Sequence, residues 1–294
     1  MVSKNRMGQI CLNIIFILLC IAVVGPFLLL LSSSLTEEHT LVREGYNFIP
    51  HKFSLESYQY LLLSAGKIAR GYGITIFVTL IGTVASCIIT IFFAYPLSRK
   101  ELPCRTFISF FVFFTMLFHG GLVPSYMMWT QTFHIRNTLW ALILPNLLMS
   151  GYTVIMMRSF FNASIPDSLI EAARIDGGGE YRILLKVVLP LSKPMVATIA
   201  LMIGLNYWND WTNSLYYVTD EKLYSIQAIL NSINSNVQFL KSGQGVSGSL
   251  GTLELPSVGI RMAIAVIGII PILCIYPFFQ KYFVKGIVVG GVKG

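Results

Sequence analysis

The sequence EAARIDGGGEYRILLKVVLPL, from Glu171 to Leu191, is the longest charged segment of the chain and lies between two apolar runs. It predicts two short helices joined by a turn at Gly177–Gly179, because adjacent glycines end a helix and allow the backbone to reverse. We expect Ser164 to cap the first helix and Pro166 to lie in its first turn. A helix-turn-helix between two membrane spans lies at the membrane surface, where it can contact a soluble partner.

The second helix of this segment is expected from about Glu180. Its apolar spacing predicts that Leu184, Leu185 and Val188 share one side. Pro190 and Pro194 are expected to end the helix, since proline removes a backbone donor.

The composition indicates a membrane protein. Hydrophobic residues make up 55% of the chain and charged residues only 12%, whereas soluble domains carry about twice that charged fraction. The net charge is +8, and we assign the basic residues to cytoplasmic loops beside anionic lipid. No basic aromatic cluster lies outside the apolar runs, which argues against nucleic-acid binding. The five cysteines form no C-x-x-C pair and are expected to be apolar fillers.

Six apolar runs are long enough to cross a bilayer. The predicted spans are Ile10–Leu31, Ile74–Leu97, Phe107–Trp129, Leu139–Met157, Met195–Val218 and Met262–Phe279. The first run is longer than a signal-peptide core, which is typically about 7–15 residues. Arg99, Lys100 and Arg105 place the loop after the second span in the cytoplasm. The predicted fold is an all-α membrane protein with six transmembrane helices, both termini in the cytoplasm, and a cytoplasmic helix-turn-helix between helices 4 and 5.

Polar residues inside two predicted spans mark a candidate substrate path. They are Asn206, Tyr207, Trp208 and Asn209 in the fifth span and His119 in the third. Polar side chains in a span are costly unless they face a cavity or a partner. An indole can stack on a sugar ring and amides can bind its hydroxyls. The alternative is an aromatic belt with an interhelical hydrogen bond. The glycines and the proline after His119 predict a broken backbone in the third span.

The chain shows no catalytic or metal-binding pattern. A G-x-x-x-x-G-K-[ST] sequence is absent, so we do not expect ATP to bind through a P-loop. The four histidines and five cysteines have no metal-ligand spacing. A secondary transporter would need an intramembrane charge or inverted repeats, and an intramembrane enzyme would need paired catalytic groups. We therefore expect no catalytic, cofactor-binding or metal residues in this chain.

The segment that begins at Glu171 resembles the cytoplasmic signature of ABC-importer permeases. That signature is E-A-A, three residues, G, nine residues, then an aliphatic residue, any residue, L and P. The matching positions are Glu171, Ala172, Ala173, Gly177, Val187, Leu189 and Pro190, with Val187 in place of the usual isoleucine. From the second span to the C-terminus the chain is similar to carbohydrate-type permeases. The runs GGLVPSY (120–126) and IPDSLIEAARIDG (165–177) are most similar to a branch for oligosaccharides, including uronate-containing ones.

The resemblance implies a permease subunit of an ATP-driven sugar importer, with oligosaccharides as the expected substrates. It implies half of a translocation pore in a bacterial cell membrane, completed by a second homologous permease. The other implied partners are two ATP-binding-cassette ATPase subunits, which would hold ATP and Mg, and an extracytoplasmic solute-binding protein. The implied ATPase-coupling residues are Glu171, Ala172, Ala173, Asp176, Gly177 and Pro190. A permease for a non-sugar solute and a secondary transporter are the alternatives. From the residues alone, Glu171 could instead form a surface ion pair with Arg174.

The predicted organisation has two parts. Residues 1–73 form an N-terminal span and an outer segment, and residues 74–294 form the permease core. The core contains the coupling loop 164–191, the outer loop 217–257 and the cytoplasmic tail 284–294. By resemblance, the outer loop would contact the binding protein and the glycine-rich tail would extend towards the ATPase. A short amphipathic helix is expected within Phe53–Leu63.

Overall fold

Apolar runs with few charges become helices in this chain, because only a helix satisfies its own backbone polar groups in lipid. The computed structural model describes residues 6–241 and 257–290. Within those ranges the regular elements are all helical, and one isolated β-bridge joins Thr36 and Phe53. The predicted all-α class is confirmed for the described residues.

The helices are numbered in chain order. They are α1 (Arg6–Ser34), α2 (Glu38–Glu44), α3 (Glu56–Leu62), α4 (Ala65–Ser98), α5 (Arg105–Leu117), α6 (Leu122–Met127), α7 (Trp140–Ile143), α8 (Gly151–Ser164), α9 (Asp167–Ile175), α10 (Glu180–Ile183), α11 (Leu189–Leu191), α12 (Lys193–Asn209), α13 (Thr212–Tyr217), α14 (Ile226–Lys241) and α15 (Ser257–Gly290). Two π-helical turns, Met128–Thr132 and Leu184–Val188, and one 3₁₀ turn, Glu221–Leu223, complete the described elements.

Three helical segments are long and apolar enough to cross a membrane among the described residues. They are Gly8–Ser34, Ala65–Ser98 and Val258–Phe278. Two bent helix pairs raise the number to five if each pair is one span. These are Arg105–Leu117 with Leu122–Thr132, bent by 110°, and Glu180–Leu191 with Lys193–Asn209, bent by 84°. The predicted first, second and sixth spans lie within α1, α4 and α15, whereas the count of six stays a prediction.

The predicted third span is broken where its sequence indicated. Helix α5 ends at Leu117, and the chain resumes as α6 at Leu122. Gly121 has a φ of 87°, a backbone conformation that glycine adopts at little cost. His119 lies in this exposed break.

The predicted fourth span, Leu139–Met157, is not one helix. Helices α7 and α8 are separated by residues 144–150, where Pro145 lies and Asn146 has a φ of 60°. The carbonyl groups that this break exposes accept hydrogen bonds from later parts of the chain. The Tyr207 hydroxyl donates to the Ile143 oxygen over 2.9 Å, and the Asn213 amide donates to the Pro145 oxygen over 3.0 Å. These buried bonds replace the missing helical ones, as buried irregular backbone requires.

The described residues divide into two units. One comprises residues 67–229 and 272–290. Its hydrophobic core is formed by side chains from α4, α5, α7 to α10, α12 and α13, with Val154, Met157 and Phe161 fully buried. Within this unit the Tyr207 side chain of α12 packs closely on α4 at Gly82.

The other unit comprises residues 6–66, 230–241 and 257–271. Here the two carboxylate oxygens of Glu38, in α2, accept from the backbone N–H groups of Val258 and Gly259 over 2.9 and 2.8 Å. A carboxylate at a helix N-terminus satisfies unpaired donors and complements the helix dipole. Glu38 therefore caps the start of α15.

The segments outside the spans follow part of the prediction. The amphipathic helix expected within Phe53–Leu63 is confirmed as α3, which buries Ser57 and Leu61. The predicted outer loop 217–257 contains α14, and its residues 242–256 lie outside the described residues. In the predicted tail 284–294, residues 291–294 also lie outside them.

Candidate coupling surface and substrate path

The first helix of the coupling loop begins later than Ser164 predicted. Ser164 is the last residue of α8, and the residue that precedes α9 is Pro166, which makes no side-chain capping bond. The predicted cap is wrong because Ile165, the residue before a proline, is extended with φ −116° and ψ 107°. That extended residue separates the Ser164 hydroxyl from the amino end of α9. Asp167 in the first turn supplies the favourable negative charge instead.

The glycine turn that ends α9 is confirmed and has a defined hydrogen-bond pattern. Gly177 has a φ of 78°, the left-handed conformation that glycine favours. Its N–H donates to the Arg174 oxygen over 2.9 Å, and the Gly178 N–H donates to the Ala173 oxygen over 2.9 Å. This pair of bonds is the Schellman motif, which satisfies the last carbonyl groups of a helix.

The second half of the coupling loop is continuous from Glu180 to Leu191 and then bends into α12. Leu184 and Val188 were predicted to share one side of the helix, and both are buried. Leu185 was expected on the same side, but its side chain is 52% exposed. That expectation is wrong because adjacent positions point in different directions around a helix. Pro190 is exposed and lies in the last short helix before the bend.

Ion pairs tie the coupling loop to the segment that follows α4. Arg174 bonds to Glu180 over 2.8 Å and to Glu101 over 3.2 Å, and Lys100 bonds to Asp167 over 2.9 Å. The hydrogen bond from Lys100 lowers the pKa of the Asp167 carboxyl. Because these pairs are exposed, each adds little stability alone, and their effect is to orient the loop.

A partly buried contact continues this connection into α4. The Tyr95 hydroxyl donates to Glu180 over 2.7 Å, and its ring packs edge-on against Phe161 of α8. Arg99 is only 8% exposed, and its guanidinium carbon lies 5.3 Å from the centre of the same ring. The sequence had not indicated the bond between Tyr95 and Glu180, because the two residues are 85 positions apart along the chain.

Glu171 points to solvent on α9. Among the described residues it forms no ion pair, and Arg174, its alternative partner, binds Glu101 and Glu180 instead. One turn further along lies Ile175, which is 86% exposed and which the sequence reasoning missed. An apolar side chain that protrudes from a charged loop indicates a contact with another protein.

The other predicted coupling residues surround this position. Ala172, Asp176 and Gly177 are exposed, whereas Ala173 is half-buried and packs against the core. We define the coupling surface as Glu171, Ala172, Ile175, Asp176 and Gly177. The small side chain of Ala172 leaves the backbone of α9 accessible to a close neighbour.

The structure separates the candidate substrate residues of α12 into two groups. Asn206 and Asn209 are exposed and, three positions apart, share one helix face. Tyr207 and Trp208 are buried, with 2% and 4% of their surfaces exposed. The predicted grouping of Trp208 with the two asparagines is therefore not found, because adjacent residues point to different sides of a helix.

Trp208 packs among apolar side chains. Its ring centre lies 6.2 Å from that of Tyr72, and it lines a cavity of about 320 Å³. The cavity is formed by α4, α12 and α15 and is lined mainly by Ile76, Leu80, Val84, Leu201, Leu205 and Ile272. His119, in the break after α5, belongs to a different element from the α12 candidates.

The profile of the binding-protein-dependent transport system inner membrane component family matches residues 74–289. The chain belongs to this family. It is 36% identical over 294 residues to the polygalacturonan/rhamnogalacturonan transport system permease protein YtcP of Bacillus subtilis, covering 99% of this chain and 100% of that one. It is 34% identical over 294 residues to protein LplC of the same organism, covering 99% and 97%.

The fold of this permease is also that of a solved transporter. It matches a chain in the crystal structure of a bacterial ABC transporter involved in the import of the acidic polysaccharide alginate, with a TM-score of 0.76 and 27% identity. The match covers 96% of this chain and 99% of that one. The family works as the membrane component of importers that also contain a partner permease, an ATPase and a binding protein. This permease is accordingly a transport subunit and not an enzyme, and it is a membrane protein.

Proposed function

We propose that this permease forms half of the pore of an ATP-driven oligosaccharide importer, and that its substrates carry uronate sugars. The observation that carries the proposal is 36% identity, over 99% of this chain, to a permease named for polygalacturonan and rhamnogalacturonan. The match to an importer of the acidic polysaccharide alginate adds support. Polygalacturonan and alginate both carry a carboxylate on each uronate sugar.

The proposed assembly has one copy of this chain, a second permease, two ATP-binding-cassette subunits and an extracytoplasmic binding protein. ATP and Mg would bind to the ATPase subunits. The chain itself would cross the membrane six times, with both termini in the cytoplasm. The basic residues Arg99, Lys100 and Arg105, next to α4, support a cytoplasmic position for that end and for the coupling loop.

In this assembly the coupling surface would dock on the ATPase. Glu171 is exposed and forms no ion pair among the described residues, so it is free to meet a basic residue of the partner. Ile175 would enter an apolar pocket there, which accounts for its 86% exposure. The links from Arg174 to Glu101 and Glu180 would transmit movement of the docked loop to α4.

Asn206 and Asn209 are the residues of α12 that we propose contact the substrate. Their amides can donate to and accept from sugar hydroxyls, and each satisfied hydrogen bond contributes about 1 kcal/mol. The six apolar runs contain no lysine or arginine. Recognition of the acid groups is therefore assigned to the binding protein or to the partner permease.

Glu171→Lys tests the coupling role in the complete importer. The importer is reconstituted in vesicles, with ATP on the side of the membrane that the ATPase subunits face. A repelled charge at a docking contact costs several kcal/mol, so uptake of a galacturonate trimer should fall by about tenfold or more. Glu56→Lys is the matched control, because Glu56 is an exposed glutamate of α3, outside the coupling loop. Uptake at the wild-type rate by the Glu171 variant would show that the segment is misassigned.

The substrate class is tested with wild-type protein in the same vesicles. ATP-driven uptake of the galacturonate trimer should exceed uptake of maltotriose, a neutral trimer of similar size. Faster transport of maltotriose would contradict the uronate assignment and leave the coupling result intact.

A further inference from the structure

Two arginines, Arg105 and Arg158, lie close together in the unit that contains the coupling loop. An amino group of Arg158, near the end of α8, donates to the Ser109 hydroxyl over 3.0 Å. That hydroxyl donates in turn to the backbone oxygen of Arg105 over 2.7 Å. Ser109 is one helical turn from Arg105, the first residue of α5. The guanidinium of Arg158 therefore reaches the first turn of α5, beside Arg105.

The positive charge at this point has no counterpart in the part of the chain that the structure describes. Neither arginine forms an ion pair there, although Arg99, Lys100 and Arg174 all do. The buried Nε groups of Arg105 and Arg158 also lack hydrogen-bond partners among the described residues. Unpaired charged donors are costly, so an anion that reached both side chains would bind favourably.

The helix itself adds to the positive potential. The first turn of α5 contains no acidic residue, and its amino end carries the positive end of the helix dipole. Burial and the neighbouring charge of Arg105 lower the pKa of Arg158. A bound anion would reverse that effect, because it would favour the charged guanidinium.

The exposed surface of α5 that follows Arg105 along the helix is strongly apolar. Phe107 and Phe110 are 70% and 61% exposed on α5, within two turns of Arg105. Beyond them the helix has no charged residue up to its end at Leu117. A ligand that fits this surface has an anionic head and a long apolar tail.

We propose that Arg105 and Arg158 bind the phosphate group of an anionic phospholipid whose acyl chains lie along α5. Guanidinium groups match phosphate oxygens in a forked geometry that lysine cannot reproduce. The site is separate from the coupling surface, and in the proposed orientation it selects lipid of the cytoplasmic leaflet.

The test uses the complete importer, purified in detergent and depleted of lipid. Native mass spectrometry would count the dioleoylphosphatidylglycerol molecules bound during a titration, with dioleoylphosphatidylcholine as the neutral probe. The Arg105→Gln/Arg158→Gln variant loses both charged contacts to the phosphate, so it should bind phosphatidylglycerol about tenfold or more weakly. Binding of phosphatidylcholine should not change.

Two further variants control for charge and for folding. Arg182→Gln removes an exposed arginine of α10 and should leave phosphatidylglycerol binding unchanged. Arg105→Lys/Arg158→Lys keeps both charges but not the fork, and it should bind with an affinity between those of the wild type and the glutamine variant.

Three results would overturn the proposal. An equal loss of phosphatidylglycerol binding in Arg182→Gln would mean that any exposed arginine attracts the lipid. Displacement of the lipid by millimolar inorganic phosphate would assign the site to free anions. Unchanged lipid binding, together with loss of a subunit from the glutamine variant of the complex, would assign the arginines to a protein contact.

Discussion

Three consecutive glycines in the coupling loop differ in what their backbone requires. Gly177 has a φ of 78° and lies in open space. Gly178 lies so close to the end of α9 that an added Cβ would be 2.7 Å from the Ala173 oxygen. Gly179 has a φ of −70° and no atom near its Cβ position. The turn therefore depends on the first two glycines, for different reasons, and not on the third.

Alanine at each position should separate these roles. Gly177→Ala introduces a left-handed alanine, which costs about 1 kcal/mol. Gly178→Ala displaces the Ala173 carbonyl and breaks the bond that closes α9. Both variants should reduce ATP-driven uptake in vesicles, whereas Gly179→Ala should transport at the wild-type rate. Equal transport by all three would mean that the geometry of this turn does not matter for coupling.

Helix α12 approaches the backbone of helix α4 closely at Gly82. An added Cβ at Gly82 would lie 2.4 Å from the ring of Tyr207, so the ring rests directly on the α4 backbone. The same tyrosine donates to Ile143 over 2.9 Å and so supports the broken segment after α7. Tyr207 therefore both lies at the close approach of α4 and α12 and satisfies a backbone group of the broken segment after α7.

Gly82→Ala should destabilise this arrangement. The added methyl group pushes Tyr207 away, and overpacking of this kind costs typically about 1–3 kcal/mol. Gly73→Ala is the matched control on the same helix, because its Cβ would meet no atom within 4 Å. Its substitution should be neutral or slightly stabilising, since glycine within a helix costs roughly 0.5–1 kcal/mol relative to alanine. Thermal unfolding of the purified protein in detergent would show a lower midpoint for Gly82→Ala only.

At the scale of the whole molecule, the distribution of charge is the argument for orientation. Basic residues follow α4 directly, at Arg99 and Lys100, and the short cytoplasmic loops of membrane proteins are enriched in such residues. The coupling loop is tied to this end of α4 by ion pairs, so both would face the ATPase. The segment that contains α3 would then face outwards.

Single cysteines test this orientation. All five native cysteines are free, so they can be replaced by alanine to give an unreactive parent. In that background, Glu56→Cys should react with a membrane-impermeant maleimide in intact cells, and Arg182→Cys only after lysis. Both original side chains are exposed, so access to the reagent is not limited by burial. Labelling of both positions in intact cells would contradict the six-span orientation.

The class of the protein, most of its helices and the coupling turn could be predicted from the sequence. These features depend on local causes: runs of apolar residues that must form helices in lipid, and the spacing of alanine, glycine and proline around Glu171. The broken third span was also predictable, because Gly120, Gly121 and Pro124 are adjacent in the chain. The location of a candidate path on α12 followed from polar residues in an apolar run, and its role remains a prediction.

Only the tertiary structure decided which side chains pair with one another. Arg174 binds Glu101, which lies 73 residues away, rather than the nearby Glu171. Tyr207 bonds to a carbonyl group 64 residues away, and this bond explains how the fourth apolar run can be broken. The Trp208 side chain lines an apolar cavity, whereas its neighbours Asn206 and Asn209 are exposed. Periodicity along one helix shows which residues share a face, but the neighbours of that face depend on how distant helices pack.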